Sequence, residues 1–160
     1  MTDLPISFRP ITQEDEPFLC RLYASTREEE LAVVPWSRAE KDAFLEMQFK
    51  AQHTYYQEQF KQANFDLVLL AGEPIGRLYL DHRRDELRII DIALLPEYRR
   101  RGIGSRLLQQ VLAEADTAVL PVRIHVEHNN PALKLYHRLG FRRIGDQGVY
   151  FLMEWTPTKT

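Results

Sequence analysis

The residues with the clearest chemical content lie in Arg99-Arg100-Arg101-Gly102-Ile103-Gly104-Ser105, between the apolar run Leu87–Leu95 and an apolar stretch that begins at Leu107. A strand, a basic glycine turn and a helix, in that order, offer unpaired backbone N–H groups to an anion. The first turn of the helix adds roughly half a positive charge from its aligned peptide dipoles. Glycines at 102 and 104 let a phosphate approach the backbone closely. Arg99, Arg100, Arg101 and Arg106 can each add a charge-assisted hydrogen bond of about 1.5–3 kcal/mol. This chemistry fits a pyrophosphate. The competing reading is a solvated arginine turn, because basic turns containing glycine are common.

Spacing narrows the choice. No G-x-x-x-x-G-K-[ST] run is present, and a dinucleotide fingerprint would need glycine where Leu107 stands. Arg99-x-x-Gly102-x-Gly104 resembles the [QR]-x-x-G-x-[GA] phosphate loop of the GCN5-related N-acetyltransferases (GNAT). The segment Val126–Phe141 resembles the N-x-A-x-x-L-Y-x-x-x-G-F stretch of the same family, through Asn130, Ala132, Leu135-Tyr136 and Gly140-Phe141. The two motifs occur in the family's order, a few tens of residues apart. The resemblance covers about Asp66 to Phe141; the first 64 residues match in layout alone.

The resemblance implies an acyl-CoA-dependent N-acetyltransferase, with acetyl-CoA as co-substrate, an amine of a small molecule or a protein as acceptor, and no metal. By that resemblance the backbone of Ile92, Ala93 and Leu94 pairs with the pantetheine arm as an added strand would. The N–H groups of Arg100, Arg101, Gly102, Ile103, Gly104 and Ser105, with the arginine side chains, hold the pyrophosphate. Asn130 hydrogen-bonds the cofactor arm, although Asn129 occupies the family's usual offset from the tyrosine. Tyr136 stands where the family places a tyrosine near the sulfur. A phenol of reference pKa about 10 is protonated at neutral pH and can act as the general acid toward a departing thiolate. The competing role for Tyr136 is packing against the thioester.

An alkylammonium acceptor of reference pKa about 10.4 is a free amine in only on the order of one molecule in a thousand at neutral pH, so a proton acceptor is needed. Some members carry a glutamate on the strand before the phosphate loop, where this chain has Arg88 or Ile90. Others carry one at the position of His125, and imidazole titrates in the right range. His125 is therefore a candidate base, beside Glu127, Asp91 and water. Strand alternation turns Asp91 to the opposite face, which favours a structural role. His125-x-x-His128 sits at a strand end with poor geometry for a metal, and no cysteine cluster supports one. The lone Cys20 lies far from both motifs, so direct attack by the amine is expected rather than a covalent enzyme intermediate.

These residues need elements to position them. Ile6–Ile11 alternates like a strand, with Pro10 suggesting a sheet edge. Thr12-Gln13-Glu14-Asp15 resembles a capping box and opens a helix to about Arg27, broken by Val33-Val34-Pro35-Trp36. Ser37-Arg38-Ala39-Glu40 is a second capping box, opening a long helix over 38–62 with Phe44, Met47, Ala51, Tyr55 and Phe60 on its inner face and His53 at the surface. Trp36, Tyr55 and Tyr56 are candidates for an acceptor pocket, against a competing role in packing. Strands follow at 65–70 and 75–80, then the nearly apolar 87–95, which suits a central position. A helix runs to about Ala115, a strand covers 121–126, a helix runs from Asn130-Pro131 to Gly140, and a hairpin closes the chain. This order and the resemblance imply an α/β fold: a mixed, mostly antiparallel central sheet of about seven strands flanked by four helices. The sheet is expected to splay between the strands around 87–95 and 121–127. One domain over 1–160 is expected from size.

Composition bounds the rest. With 160 residues, 44% hydrophobic and 28% charged, the chain has the make-up of an ordinary globular protein. The net charge of −2 gives no basic footprint for nucleic acid, which weakens a reading through Arg83, Arg84, Arg88 and Arg99–Arg101. Residues 1–64 hold 7 Lys+Arg against 11 Asp+Glu, net −4; residues 65–160 hold 14 against 12, net +2. Glu28-Glu29-Glu30 can thus favour a cationic acceptor, although solvated helix faces explain it as well. One cysteine, no apolar run near the ~18 residues of a membrane span and no basic-then-apolar start point to a cytoplasmic protein without a membrane partner. A homodimer is left open. The alternative to catalysis is a regulatory module that binds acyl-CoA.

Overall fold

The computed structural model describes residues 5–158. Seven strands form one sheet: β1 (Ile6–Pro10), β2 (Asn64–Leu70), β3 (Glu73–His82), β4 (Leu87–Leu94), β5 (Val122–Glu127), β6 (Arg142–Gln147) and β7 (Tyr150–Trp155), in the spatial order β1-β2-β3-β4-β5-β7-β6. β1 with β2, β5 with β7 and β6 with β7 are antiparallel, whereas β4 and β5 run parallel. A parallel pair needs a crossover, supplied by a helix between β4 and β5. In the β4–β5 ladder Leu87–Ile89 stand opposite Val122–Ile124. Pro10 lies on the edge strand, where its missing N–H costs no ladder bond.

Among the described residues five helices accompany the sheet: α1 (Glu16–Thr26), α2 (Glu28–Ala32), α3 (Arg38–Gln59), α4 (Ile103–Ala118) and α5 (Leu133–Arg138). The expected count was four. The extra helix is α2, a single turn set off from α1 at Arg27, ahead of the Val33–Trp36 break. Both capping boxes form: Asp15 Oδ2 accepts from the Thr12 N–H at 2.7 Å, and Glu40 N–H donates to Ser37 Oγ at 3.2 Å. α5 begins at Leu133 rather than Asn130, because Asn130 folds into a turn of its own. Among the described residues no helix is long and apolar enough to cross a membrane.

The described chain divides into two compact units. The first runs up to Leu78 and takes in Ile92–Tyr98; the second holds Tyr79–Asp91 and continues from Arg99. In the first, α1 packs on α3, and Leu19, Tyr23, Leu31, Leu45, Phe49 and Leu67 form the core. The inner face of α3 is carried by Leu45 and Phe49; Met47 and Tyr55, expected inside, are 60% and 56% exposed. The reason is polar. Gln48 and Gln52 share the inner face and accept hydrogen bonds from the Tyr23 hydroxyl (3.2 Å) and the Arg77 guanidinium (2.9 Å). His53, expected at the surface, is half-buried and stacks on Phe49.

In the second unit α4 buries Ile103, Leu107, Leu108, Val111, Leu112 and Ala115, an i, i+4 stripe that anchors the helix behind the glycine turn.

Candidate functional site

The loop before α4 takes the shape that its sequence suggests. After β4, Pro96–Tyr98 forms one 3-10 turn. Arg100 and Gly102 then adopt left-handed backbone conformations, with φ of +61° and +79°. Gly102 is the N-cap of α4: its carbonyl accepts from Arg106 N–H at 3.0 Å, and no side chain caps the helix start. Left-handed residues in such a turn let neighbouring N–H groups converge, as they do in anion-binding concavities. Arg99, Arg100 and Arg101 are exposed, whereas Ile103 is 2% exposed and pins the first turn of the helix. The loop therefore presents donors and guanidinium groups from a helix end held in place by burial. Its chemistry fits a diphosphate.

Ile92, Ala93 and Leu94 form the end of β4 in the first unit, the first two half-buried and Leu94 buried. The strand is fixed there by Leu95 N–H donating to Ile75 O at 2.8 Å, and by Gly76, whose missing side chain leaves room for the Ala93 carbonyl.

Tyr136, on α5 in the second unit, is 3% exposed and meets Phe141 edge-on at 5.5 Å between ring centroids. The chain turns after α5 by Phe141 N–H donating to Tyr136 O at 3.0 Å, with Gly140 at φ +102°. Burial pushes the phenol above its ordinary pKa, and the negative charge of Asp91 adds to the shift. The hydroxyl thus stays protonated throughout the neutral range. Asn130 Oδ1 accepts from Ala132 N–H at 2.8 Å, an Asx turn that fixes the side chain ahead of α5.

His125 occupies a different environment. It is exposed on β5, while its neighbours Ile124 and Val126 are buried. Arg88 Nη1 lies 2.9 Å from His125 Nδ1, and Gln147 Oε1 lies 3.0 Å from Nε2. Guanidinium only donates, so Nδ1 is the acceptor and Nε2–H donates to Gln147. Desolvation and then the Arg88 charge lower the imidazole pKa, so the ring is neutral at pH 7 with both nitrogens engaged. The His128 ring stacks on Phe151 at 3.9 Å between centroids and its Nε2 meets Asp146 Oδ1 at 2.9 Å, so the two histidines have separate partners. Among the described residues no group of three or more His, Cys, Asp or Glu converges as a metal site would require.

One constellation was not foreseen. Glu86, 5% exposed, receives Arg123 Nη1 on one oxygen at 2.7 Å and Arg83 and Arg88 on the other at 3.1 and 2.8 Å. Burial alone would raise this carboxyl; the hydrogen bonds from Arg88 and Arg123 outweigh it and hold the pKa below its ordinary value. Arg123 also bonds Glu154 at 2.9 Å. Arg88 therefore bridges Glu86 to His125. Of the acceptor-pocket candidates, Trp36 meets Phe44 edge-on, and Tyr55 and Tyr56 lie against each other and against Phe60.

Residues 17–141 match the acetyltransferase (GNAT) family profile. The N-alpha-acetyltransferase RimI of Mycobacterium tuberculosis is 36% identical over 66 residues, 41% of this chain and 41% of that protein. The ribosomal protein bS18-alanine N-acetyltransferase of Salmonella typhimurium is 33% identical over 69 residues, 42% of this chain and 47% of that protein. The matched stretches span less than half the length of these curated relatives. The crystal structure of PaiA N-acetyltransferase from Thermoplasma acidophilum, in complex with coenzyme A, superposes with a TM-score of 0.70 at 19% identity, over 94% of this chain and 98% of that one. That likeness speaks for the fold. Since the profile covers most of its length, the chain belongs to the acetyltransferase (GNAT) family.

Proposed function

We propose that the protein transfers the acetyl group of acetyl-CoA to a primary amine by direct attack, within one domain. The observation that carries this reading is the loop before α4, with left-handed Arg100 and Gly102, an uncapped helix start and three exposed arginines. In this reading Arg99–Ser105 hold the diphosphate, the backbone of Ile92–Leu94 runs beside the pantetheine arm, and the Asn130 amide supports it. The coenzyme supplies an activated acyl carbon on a sulfur leaving group. The amine nitrogen forms the new C–N bond as the C–S bond breaks, the ammonium proton passes to a base or water, and Tyr136 gives its hydroxyl proton to the sulfur. Burial of Tyr136 supports this role, because it keeps the phenol protonated. The relatives named above include enzymes for protein N-termini, and the acceptor here is proposed as a small-molecule or protein amine.

Calorimetry and thermal shift with acetyl-CoA, followed by thiol release across a panel of amines, test this reading. A raised melting midpoint and thiol release with at least one amine are expected. The absence of binding overturns it.

A second reading, a regulatory module that binds acyl-CoA without turnover, is favoured by one observation: both His125 nitrogens are engaged, by Arg88 and Gln147. Binding of acetyl-CoA with no thiol release from any amine selects it.

A further inference from the structure

The first unit contains a cavity of about 400 Å³ between α1, α2, the first turns of α3 and Leu95–Glu97. This size suits a small molecule. Leu95–Glu97 directly follow Ile92–Leu94 along the chain, so the cavity adjoins the end of the strand assigned above to the cofactor arm. Its wall carries three cations: Arg21 from α1, and Arg38 and Lys41 from α3. Arg38 leans on Asp42 at 2.7 Å, one helical turn away. The Arg21 guanidinium lies over Phe18, 5.4 Å from the ring centroid. Among the described residues neither Arg21 nor Lys41 has a carboxylate partner. Glu28 and Glu97 add two negative charges, and the buried Leu31 and Leu45 give the cavity an apolar side.

Asp42 neutralises Arg38, which leaves Arg21 and Lys41 as the cations without a carboxylate partner, in a wall that also carries Glu28 and Glu97. A carboxylate adds one negative charge to that balanced wall and a phosphate dianion two, so the charge balance favours the monoanion. The same balance disfavours a polycation, despite Glu28-Glu29-Glu30 in the sequence. Guanidinium and ammonium groups around one space are the donor set for a carboxylate.

We propose that this cavity seats amine acceptors that also carry a carboxylate, namely amino acids or short peptides with a free C-terminus. The carboxylate lies against Arg21, Arg38 and Lys41, and the aliphatic part lies against Leu31 and Leu45. This rests on the acetyltransferase reading for the word acceptor, but not for the binding itself.

The test compares the dipeptide alanyl-leucine with its C-terminal amide, which keeps the same amine and loses only the carboxylate. Calorimetry with saturating coenzyme A is run on the wild type and on the Arg21→Gln/Lys41→Gln variant. The acid is expected to bind at least tenfold more tightly than the amide in the wild type. In the variant that preference is lost, with affinity for the amide and for coenzyme A unchanged. Equal affinity for acid and amide, no binding of either, or a preference that survives in the variant would overturn the proposal. A variant that weakens coenzyme A instead would assign these cations to the cofactor phosphates and overturn it too. If the double variant melts early, Lys41→Gln alone carries the comparison. Thiol release is scored separately: its absence with every amine defeats the enzyme reading while the acid preference still stands.

Discussion

Gly76 faces Leu94 so closely that a methyl group on its Cα would sit 2.8 Å from Leu94 Cδ2 and press on the neighbouring Ala93 carbonyl. Backbone and a buried leucine cannot both yield. Gly76→Ala should therefore destabilise the protein by about 1–3 kcal/mol, visible as a lowered melting midpoint. Because the displaced residues are those assigned to the pantetheine arm, affinity for acetyl-CoA should fall as well. An unchanged midpoint and affinity would show that β4 has slack there.

Tyr136→Phe keeps the ring that meets Phe141 edge-on and removes only the hydroxyl. Turnover should drop tenfold or more while coenzyme A affinity barely changes. The pKa of the buried phenol is raised, so its protonated form persists beyond the ordinary value of about 10. No alkaline fall in wild-type turnover below pH 10 should trace to this group. Unaltered turnover in the variant would remove Tyr136 from the chemistry.

Arg88 donates to His125 Nδ1 and lowers the imidazole pKa, after desolvation. Replacing Arg88 with Gln removes that charge and should raise the pKa. If His125 is the base, the acid limb of kcat/KM then moves to higher pH and His125→Ala abolishes the limb. A limb that does not move with Arg88→Gln assigns the proton to Glu127, Asp91 or water.

Asp15 accepts both Arg9 guanidinium nitrogens at 2.8 Å and the Thr12 N–H at 2.7 Å, which hold its carboxyl down at about 2. A depressed pKa stabilises the fold above the unfolded value of about 3.9, and the contribution is lost as pH falls through the folded one. Arg9 is half-exposed, so solvent screens the pair. Asp15→Asn should cost about 1–2 kcal/mol at pH 7, and the gap to wild type should close between pH 4 and pH 2. Parallel denaturation curves at both pH values check this.

What was legible in the sequence was local. The Arg99–Gly104 spacing, both capping boxes and the Tyr136–Phe141 segment depend on neighbours a few residues apart, and each folds as its residue types require. The inner face of α3 was misread because Gln48 and Gln52, which look like surface residues, are satisfied by Tyr23 and Arg77, each 25 residues away along the chain. The Glu86 cluster was out of reach for the same reason. Arg88 stands directly opposite Arg123 on the parallel pair, and Arg123 opposite Glu154 on the antiparallel one. Only strand register brings them around Glu86. The cationic cavity likewise draws on two helices and the residues after β4, which no spacing in the sequence connects.

The space around Gly102 is open: a methyl group there would meet nothing within 4 Å, yet φ is +79°. Crowding is thus not what demands glycine at this position; torsional handedness is. Replacement by asparagine, alanine or valine would grade the loop along a single mechanical axis, the ease with which one peptide link swings to the left. A Cβ alone meets no neighbour there, so residue 102 is a dial for how rigidly the turn is cocked before any anion arrives.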